Sequence, residues 1–346
     1  MPATIVDYVH PDLHVPLGDC ATLEEQNGRT KISLKFAADL FAPDLRAAIS
    51  RETGRPQHAF EVDWQVTSRS VRRGLKPIDG IANIIAVASA KGGVGKSTTA
   101  ANLALALRAE GAKVGLLDAD IYGPSLPLMM GLTDQRPTSK DGKRIDPLVA
   151  HGVTCMSVGF LVDPQQPMVW RGPMVTQALR QLLDDTIWGE LDYLVVDLPP
   201  GTGDIQLTLS QQVPLTGAII VTTPQDMALA DARRGVKMFE KVEVPVLGIV
   251  ENMSTHVCSQ CGHEEAIFGA GGGDDMAQQF DVPLLASLPL DRRIREQTDS
   301  GTPTVVHAPN SDLAARYLAL ARGAGARLAR QDKDYSRAFP KIVVED

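Results

Sequence analysis

The 346-residue sequence has few cysteines and no long apolar run, and each shortage excludes a class of protein. No segment approaches the roughly 20 apolar residues that a membrane-spanning helix requires. The first residues, MPATIVDYVHPDL, lack the basic and then apolar pattern of a signal peptide, so we expect a cytoplasmic protein without a membrane partner. Four cysteines in so long a chain do not indicate a disulfide framework.

Positive charge is also scarce. The chain has 34 lysines and arginines against 42 acidic residues, a formal net charge of −8. Broad binding of nucleic acid needs clustered cations that face phosphates, so we expect no nucleic-acid partner. The 44% content of hydrophobic residues is, in contrast, sufficient for a sizeable buried core.

Three regions of different character divide the chain. Residues 1–78 predict a small α+β domain, and Arg69–Gly80, which is basic and then contains Gly and Pro, predicts a linker. Residues 79–330 predict a larger α/β domain, and residues 331–346 form a polar tail that we expect to be loosely held. In the first region we expect strands at Lys31–Phe36 and Phe60–Val66 and a helix at Pro43–Ser50.

Short apolar runs alternate with helical segments in the larger region. Near-continuous apolar strands separated by helices predict a mostly parallel sheet with helices on both faces. Functional groups should then lie at the carboxyl ends of the strands. The expected strands are Ile84–Ala88, Val114–Leu117, Tyr193–Val196, Ala218–Val221, Val246–Val250 and, more weakly, Val282–Leu288, with helices such as Ser97–Glu110 and Met227–Val242.

A glycine-rich loop follows the first of these runs and opens a helical segment, which is the context of a phosphate-binding loop. Glycines allow successive backbone N–H groups to face phosphate oxygens, and the helix amino terminus adds positive potential. Lys96 would reach the β- and γ-phosphates, and the Ser97 hydroxyl would bind Mg²⁺. The sequence therefore predicts a P-loop NTPase that binds Mg-ATP. Its nucleotide-binding residues are Gly92, Gly93, Val94, Gly95, Lys96, Ser97 and Thr98.

Carboxylates end two of the apolar strands and should reach the same edge of the sheet. Asp197 follows Tyr193–Val196 and is the expected carboxylate of the magnesium site. Asp118 ends an earlier strand, and we expect it to support Mg²⁺ or the loop lysine. The glycines at 201 and 203 are typical of a switch loop that responds to the γ-phosphate.

The lysine in front of the loop, Lys91, makes the loop resemble that of a known ATPase family. Ala90 stands where the strict pattern GxxxxGK[ST] has glycine, and the chain matches KGGxGK[ST] instead. This pattern resembles the deviant Walker A family of dimeric ATPases, which includes septum-site and chromosome-partitioning ATPases and the nitrogenase iron protein. The resemblance implies a catalytic Lys91 that contacts the partner protomer's phosphates. It also implies that Asp120 activates water and that Asn252 faces adenine.

Cys258 and Cys261 form a CxxC pair. One pair supplies two thiolates, whereas a structural zinc ion or an iron–sulfur cluster usually takes four ligands. Cys20 and Cys155 are not spaced to complete a local site, so we interpret them as incidental and core cysteines. A two-fold dimer would bring two pairs together. Ligand chemistry alone leaves open a cluster, a zinc ion or a redox disulfide.

Several longer motifs, in the order in which they occur, make a second and more specific resemblance. Over nearly its whole length the chain resembles the Mrp/ApbC family of iron–sulfur cluster carrier ATPases. The resemblance implies a homodimer whose paired Cys258 and Cys261 hold a bridging [4Fe–4S] cluster. It also implies a donor in the cluster assembly machinery, apoprotein recipients and transfer coupled to ATP. The motifs are Asp118–Ser125, Trp170–Met174, Asp197–Asp204, Glu251–Ser254 and the CxxC pair.

The first 78 residues resemble the small domain named after MIP-eighteen-type proteins. Some versions of that domain carry a cysteine after the central strand, where this chain has Asp39–Pro43. The missing cysteine argues against a cluster or redox role for this region.

Two other functions use the same nucleotide switch. A partitioning or positioning ATPase would act on DNA, which the acidic total disfavours, or on a membrane. Segment 312–330 is helical and Arg-bearing, but Gly323 and Gly325 favour a packed helix over a membrane-binding one. A zinc-stapled dimeric ATPase would use its metal only to hold two chains together.

Overall fold

The computed structural model describes residues 3–161, 172–258 and 260–334. Trp170 and Arg171 of the Trp170–Met174 motif, and residues 335–346 of the predicted tail, lie outside this part. Within it, the strands form a three-stranded and a nine-stranded sheet. None of the helices described has the length and apolar character needed to cross a bilayer.

The small sheet is formed by the first part of the chain. Its elements are α1 (Ala3–Val6), α2 (Leu17–Cys20), β1 (Ala21–Gln26), β2 (Arg29–Leu34), α3 (Phe41–Thr53) and β3 (Phe60–Trp64). Strands β1 and β2 form an antiparallel hairpin, and β3 pairs parallel to β2. The hairpin turns at Asn27 and Gly28, which both have positive φ, as a type I′ turn requires. Strand β1 is mostly exposed and was not predicted because it lacks apolar alternation.

The large sheet is mostly parallel, as predicted. Its strands are β4 (Ile81–Ala88), β5 (Val114–Asp118), β6 (Leu148–Ala150), β7 (Val153–Ser157), β8 (Leu191–Asp197), β9 (Gly217–Thr222), β10 (Val246–Val257), β11 (Glu264–Glu265) and β12 (Leu284–Leu290). Their order is β11-β10-β9-β4-β8-β5-β7-β6, and β12 also pairs with β10. Only β6 and β11 run antiparallel to their neighbours in this described sheet. The buried strands β4, β8 and β9 lie at its centre.

Helices connect the parallel strands. They are α4 (Lys96–Ala109), α5 (Leu126–Met129), α6 (Gly172–Asp185), α7 (Asp204–Gln212), α8 (Asp226–Lys241), α9 (Gly272–Gln279), α10 (Arg292–Asp299), α11 (Thr304–His307) and α12 (Asp312–Ala329). The predictions for α4 and α8 are confirmed, with bounds shifted by one residue. Most of α4 is buried, which fixes the helix that follows the phosphate loop.

Helix α12 packs against both sheets. Tyr317 and Leu320 belong to the core of the large sheet, whereas Ala326 and Ala329 belong to the core of the small one. An added Cβ on Gly325 would lie 2.9 Å from the Cβ of Phe36, so only glycine permits this close approach. The prediction of a packed helix at this position is confirmed.

The linker predicted from residue 69 pairs with the start of the predicted tail. The Ser70 N–H donates to the Asp332 carbonyl at 2.9 Å, and the Asp334 N–H donates to the Ser68 carbonyl at 3.1 Å. Arg69 between them is buried, and its Nη1 donates to the Gln331 carbonyl at 3.0 Å. Residues 331–334 are therefore held against the chain, and the expectation of a loose tail is wrong for them.

Candidate functional site

The phosphate loop connects β4 to α4 at the carboxyl edge of the large sheet. Gly93 and Gly95 have φ of +79° and +82°, which side chains other than glycine rarely adopt. Nothing in the described residues lies within 4 Å of an ideal Cβ on Gly92 or Gly93. The loop thus presents backbone to open space, which fits the approach of phosphate oxygens.

The first residues of α4 carry the polar side chains of the loop. Lys96 is buried, whereas Ser97 and Thr98 are half-buried. Val94 is buried and holds the loop against the core. Lys91, in front of the loop, is exposed, so its ammonium group is accessible from outside the chain.

Two carboxylates and the loop lysine meet beside the phosphate loop. Asp118 and Asp197 are paired in register across β5 and β8, and both are buried. The Lys96 ammonium lies 2.5 Å from the Asp197 carboxylate and 3.3 Å from the Ser97 hydroxyl. The structure thus brings Asp118 and Asp197 to the adjacent loop residues Lys96 and Ser97, from which they are distant in the sequence.

Asp197 offers a position for Mg²⁺. Its Oδ1 atom contacts Lys96, whereas its buried Oδ2 atom has no hydrogen-bond partner among the described residues. Burial raises the pKa of Asp197, and the adjacent Lys96 ammonium opposes that rise. A free carboxylate oxygen close to the Ser97 hydroxyl is a donor set that suits Mg²⁺.

Asp118 is occupied by its own chain. Its Oδ1 accepts the Asp120 N–H at 3.0 Å, and its Oδ2 accepts the N–H groups of Ser125 and Leu126 and the Ser157 hydroxyl. Burial, together with the Asp197 charge, raises the pKa of Asp118 to about 7. Asp118 therefore orders the loop that carries half-buried Asp120, and its geometry favours this role over direct contact with a metal ion.

Asn252 lies on the other side of the phosphate loop. Its Nδ2 atom donates to the Val94 carbonyl at 2.9 Å. An ideal Cβ on Gly95 would be 2.1 Å from the same nitrogen, so the amide rests directly on the loop. In this structure the Asn252 side chain contacts the backbone of the phosphate loop. The sequence predicted adenine recognition for Asn252 and did not predict this contact.

The cysteine pair lies at the tip of an exposed hairpin formed by β10 and β11. The Cys258 N–H donates to the His263 carbonyl at 2.9 Å, and the Gly262 N–H donates to the Cys258 carbonyl at 2.8 Å. Backbone N–H groups of Gln260 and Cys261 lower the pKa of the Cys258 thiol because they stabilise its thiolate. Cys261 is exposed, so the pair presents thiolate chemistry to the outside.

The other two cysteines are unsuited to metal binding. Cys20 and Cys155 are both 0% exposed, and burial raises the pKa of each thiol to about 12. This agrees with their interpretation as incidental and core residues. Within the described parts of the chain, no cluster of three or more His, Cys, Asp or Glu side chains could hold a metal ion.

Two serines in the site were not predicted. The Ser157 hydroxyl donates to Asp118 at 3.1 Å, and the Ser89 hydroxyl donates to the Lys91 carbonyl at 2.9 Å. Ser157 ends β7 and Ser89 follows β4, and a polar residue at the carboxyl end of an apolar strand would have been the signal for both. The Gly201 N–H donates to the Ser89 carbonyl at 2.9 Å, which places the predicted switch loop against the phosphate loop.

Comparison with known proteins gives consistent matches. The family model of the NUBPL iron-transfer P-loop NTPases matches residues 80–324. The iron-sulfur cluster carrier protein of Haemophilus influenzae is 52% identical over 326 residues, which cover 92% of this chain and 88% of that protein. The iron-sulfur cluster transfer protein NUBPL of Mus musculus is 53% identical over 259 residues, or 74% of this chain and 81% of that protein.

Solved structures share the fold. A nucleotide-binding protein from Archaeoglobus fulgidus, solved in complex with ADP, is 38% identical with a TM-score of 0.60, over 68% of this chain and 91% of that one. The cell division ATPase MinD of Pyrococcus furiosus is 24% identical with a TM-score of 0.51, over 70% of this chain and 97% of that one. The large sheet and its helices therefore have the P-loop NTPase fold of the MinD and ParA type.

Proposed function

Since this chain belongs to the NUBPL iron-transfer P-loop NTPase family, also known as Mrp/ApbC, we propose that it is an ATP-dependent carrier of iron–sulfur clusters. The observation that carries the proposal is the exposed hairpin, where Cys258 and Cys261 lie at the end of a strand that also contacts the phosphate loop. The cargo is a [4Fe–4S] cluster, received from assembly machinery and passed to apoproteins.

Two copies of the chain complete the cargo site in this proposal. One chain offers two accessible thiols, and a [4Fe–4S] cluster takes four thiolates. A two-fold dimer supplies the same hairpin twice. The lowered pKa of the Cys258 thiol favours the ionised form that binds iron.

The nucleotide site provides the switch. Lys96 would leave Asp197 for the phosphates, and the oxygens of Ser97 and Asp197 would bind Mg²⁺. Asp120 would orient the attacking water. Lys91 would reach the phosphates bound by the partner subunit, which its exposed position supports. Loss of the γ-phosphate would relax the loop after Asp197 and shift the two hairpins relative to each other.

Quantification of iron, sulfide and zinc per chain in anaerobically reconstituted protein tests the cargo. We expect about four irons and four sulfides per dimer, with an oxygen-sensitive brown colour. The double substitution C258A/C261A should lose the colour, whereas the buried-site control C20A should keep it. Zinc without iron and sulfide would refute the carrier proposal and favour a zinc-stapled dimer.

Mixed dimers test the position of Lys91. The single variants K91A and D120A should each be inactive as ATPases. If Lys91 acts on the partner's nucleotide, a mixed dimer has one complete site, so an equal mixture regains up to about a quarter of wild-type activity. If Lys91 acts within its own chain, no site is complete in any dimer and the mixture stays inactive, which would contradict the proposal.

A further inference from the structure

Strand β10 connects the phosphate loop directly to the cysteine hairpin. Asn252, within this strand, contacts the Val94 carbonyl, and Cys258 follows the strand's last residue. Cys258 lies six residues after Asn252, which corresponds to at most about 20 Å along a strand. A displacement of Asn252 is therefore passed on through continuous backbone.

The geometry of the Val94–Gly95 peptide makes the hydrogen bond between Asn252 and Val94 sensitive to phosphate binding in the loop. The Val94 carbonyl and the Gly95 N–H belong to one planar trans peptide, so they point in opposite directions. The carbonyl faces the Asn252 amide, and the N–H therefore faces away from it. A phosphate that binds the Gly95 N–H would tilt this peptide and alter the hydrogen bond to Asn252.

The strand is held firmly on either side of this contact. The Glu251 carboxylate accepts the Gly273 N–H at 2.7 Å, and the Ser254 hydroxyl donates to the Leu288 carbonyl at 3.1 Å. The His256 ring nitrogen lies 3.3 Å from the Leu290 carbonyl. These contacts make the segment stiff enough to transmit a displacement instead of absorbing it.

One residue in the segment has an unusual backbone. Met253 has φ of +58°, a left-handed conformation that residues other than glycine seldom adopt. It lies where the register between β10 and β12 shifts, between Asn252 and His256. Such an irregularity re-aims the side chains on its two sides. Met253 therefore sets the angle between the part of β10 that contacts the loop and the part that leads to the cysteines.

We propose that Asn252 and Met253 are positioning residues that couple nucleotide occupancy to the cysteine pair. Asn252 moves when the Val94 peptide tilts. The kink at Met253 then determines how this movement of Asn252 reorients Cys258 and Cys261. The inference rests on the proposed carrier function for its purpose, but the coupling itself is a property of the chain without cargo.

Alkylation of the cysteines tests this in full-length, metal-free protein. Iodoacetamide labelling is followed by mass spectrometry without nucleotide, with Mg-ADP and with Mg-ATPγS. Cys20 and Cys155 are fully buried, so labelling of the native protein reports on the hairpin pair. Coupling of ordinary strength predicts that nucleotide changes the wild-type labelling rate by about fivefold or more. An unchanged rate in wild type would overturn the proposal.

Matched variants identify the route. M253G removes the kink's rigidity without touching the loop, and it should bind nucleotide as wild type does while the labelling response falls below about twofold. M253N tolerates the left-handed backbone and should restore the response. E243G alters a residue with the same φ of +58° just before β10 and should behave as wild type. N252A should lose the response even at saturating nucleotide.

A response that persists in M253G or in N252A would refute the route through β10. Iron and sulfide content, measured on the same proteins, reports separately on cargo binding. A wild type that holds no cluster but shows nucleotide-dependent labelling would refute the carrier function and leave the coupling intact.

Discussion

A buried ion pair connects the small sheet to the phosphate-loop helix, and its removal should destabilise the whole chain. Glu110, which follows the last residue of α4, is fully buried, and its Oε1 accepts Arg322 Nε from α12 at 2.7 Å. Its Oε2 accepts the N–H groups of Leu40 and Phe41 at the start of α3. Arg322 also donates to Asp12 at 2.9 Å. The glutamate thus joins the end of α4 to α12 and to the start of α3.

The size of the effect follows from the unpaired charge. R322M keeps an apolar stem over Phe41 but leaves the Glu110 carboxylate buried without a cation, which should cost about 3–5 kcal/mol of unfolding free energy. E110Q keeps an acceptor for a backbone N–H, so its cost should be about 1–3 kcal/mol. The double variant E110Q/R322M contains no buried charge at this position. Its cost should be smaller than the sum of the single variants by about 1–3 kcal/mol.

Urea unfolding followed by tryptophan fluorescence and by circular dichroism measures these costs. K31M is the control, because it removes an ion pair whose side chains are both 45% exposed, and its midpoint should equal that of wild type. A midpoint for R322M near that of K31M would refute the role of the buried pair. Costs that add within about 0.5 kcal/mol in the double variant would refute the coupling.

The site makes two further predictions. The folded pKa of Asp118, about 7, lies above its ordinary value of 3.8, so the native state binds more protons than the unfolded chain and should lose unfolding free energy as pH rises from about 4 to 7. D118N should show a smaller loss than wild type, and equal slopes of urea midpoint against pH in both proteins would contradict it. G95A should abolish ATP binding measured by calorimetry, because its Cβ would meet Asn252 in a left-handed backbone. G92A enters open space and should remain folded in circular dichroism; loss of folding there would show that the loop is not an open cradle.

The sequence predicted those elements that are determined by the residues within the element itself. Continuous apolar runs predicted β4, β8 and β9, because strands buried on both faces need apolar residues at every position. The loop from Gly92 to Ser97 was predicted because its glycines serve a local backbone shape. The proximity of Asp118 and Asp197 also followed, since parallel strands end at one edge of a sheet.

Features that depend on distant partners were not predicted. Helix α3 begins at Phe41, two residues before the predicted Pro43, because the carboxylate of Glu110 caps its first N–H groups. No pattern near residue 41 contains that information. The Asn252 contact is another case, because it joins positions 158 residues apart. The Glu251 contact with Gly273 is a third case, because it gives the glycine-rich segment 269–273 a buried anchor 22 residues away in the sequence.

The proposed nucleotide site and the proposed cargo site both include exposed residues, and the need to contact a second chain explains their exposure. The buried carboxylates of Asp118 and Glu110 are paired with groups of their own chain. Among the groups that our proposal assigns to the contact between two chains, Lys91 and Cys261 are instead exposed, and Cys258 is half-buried. A residue that completes a site in another protomer must be accessible before the two chains meet, and it makes its contacts only afterwards. Cargo binding and nucleotide hydrolysis should therefore depend on the same association, and both should fall together as the protein is diluted below its dimer dissociation constant.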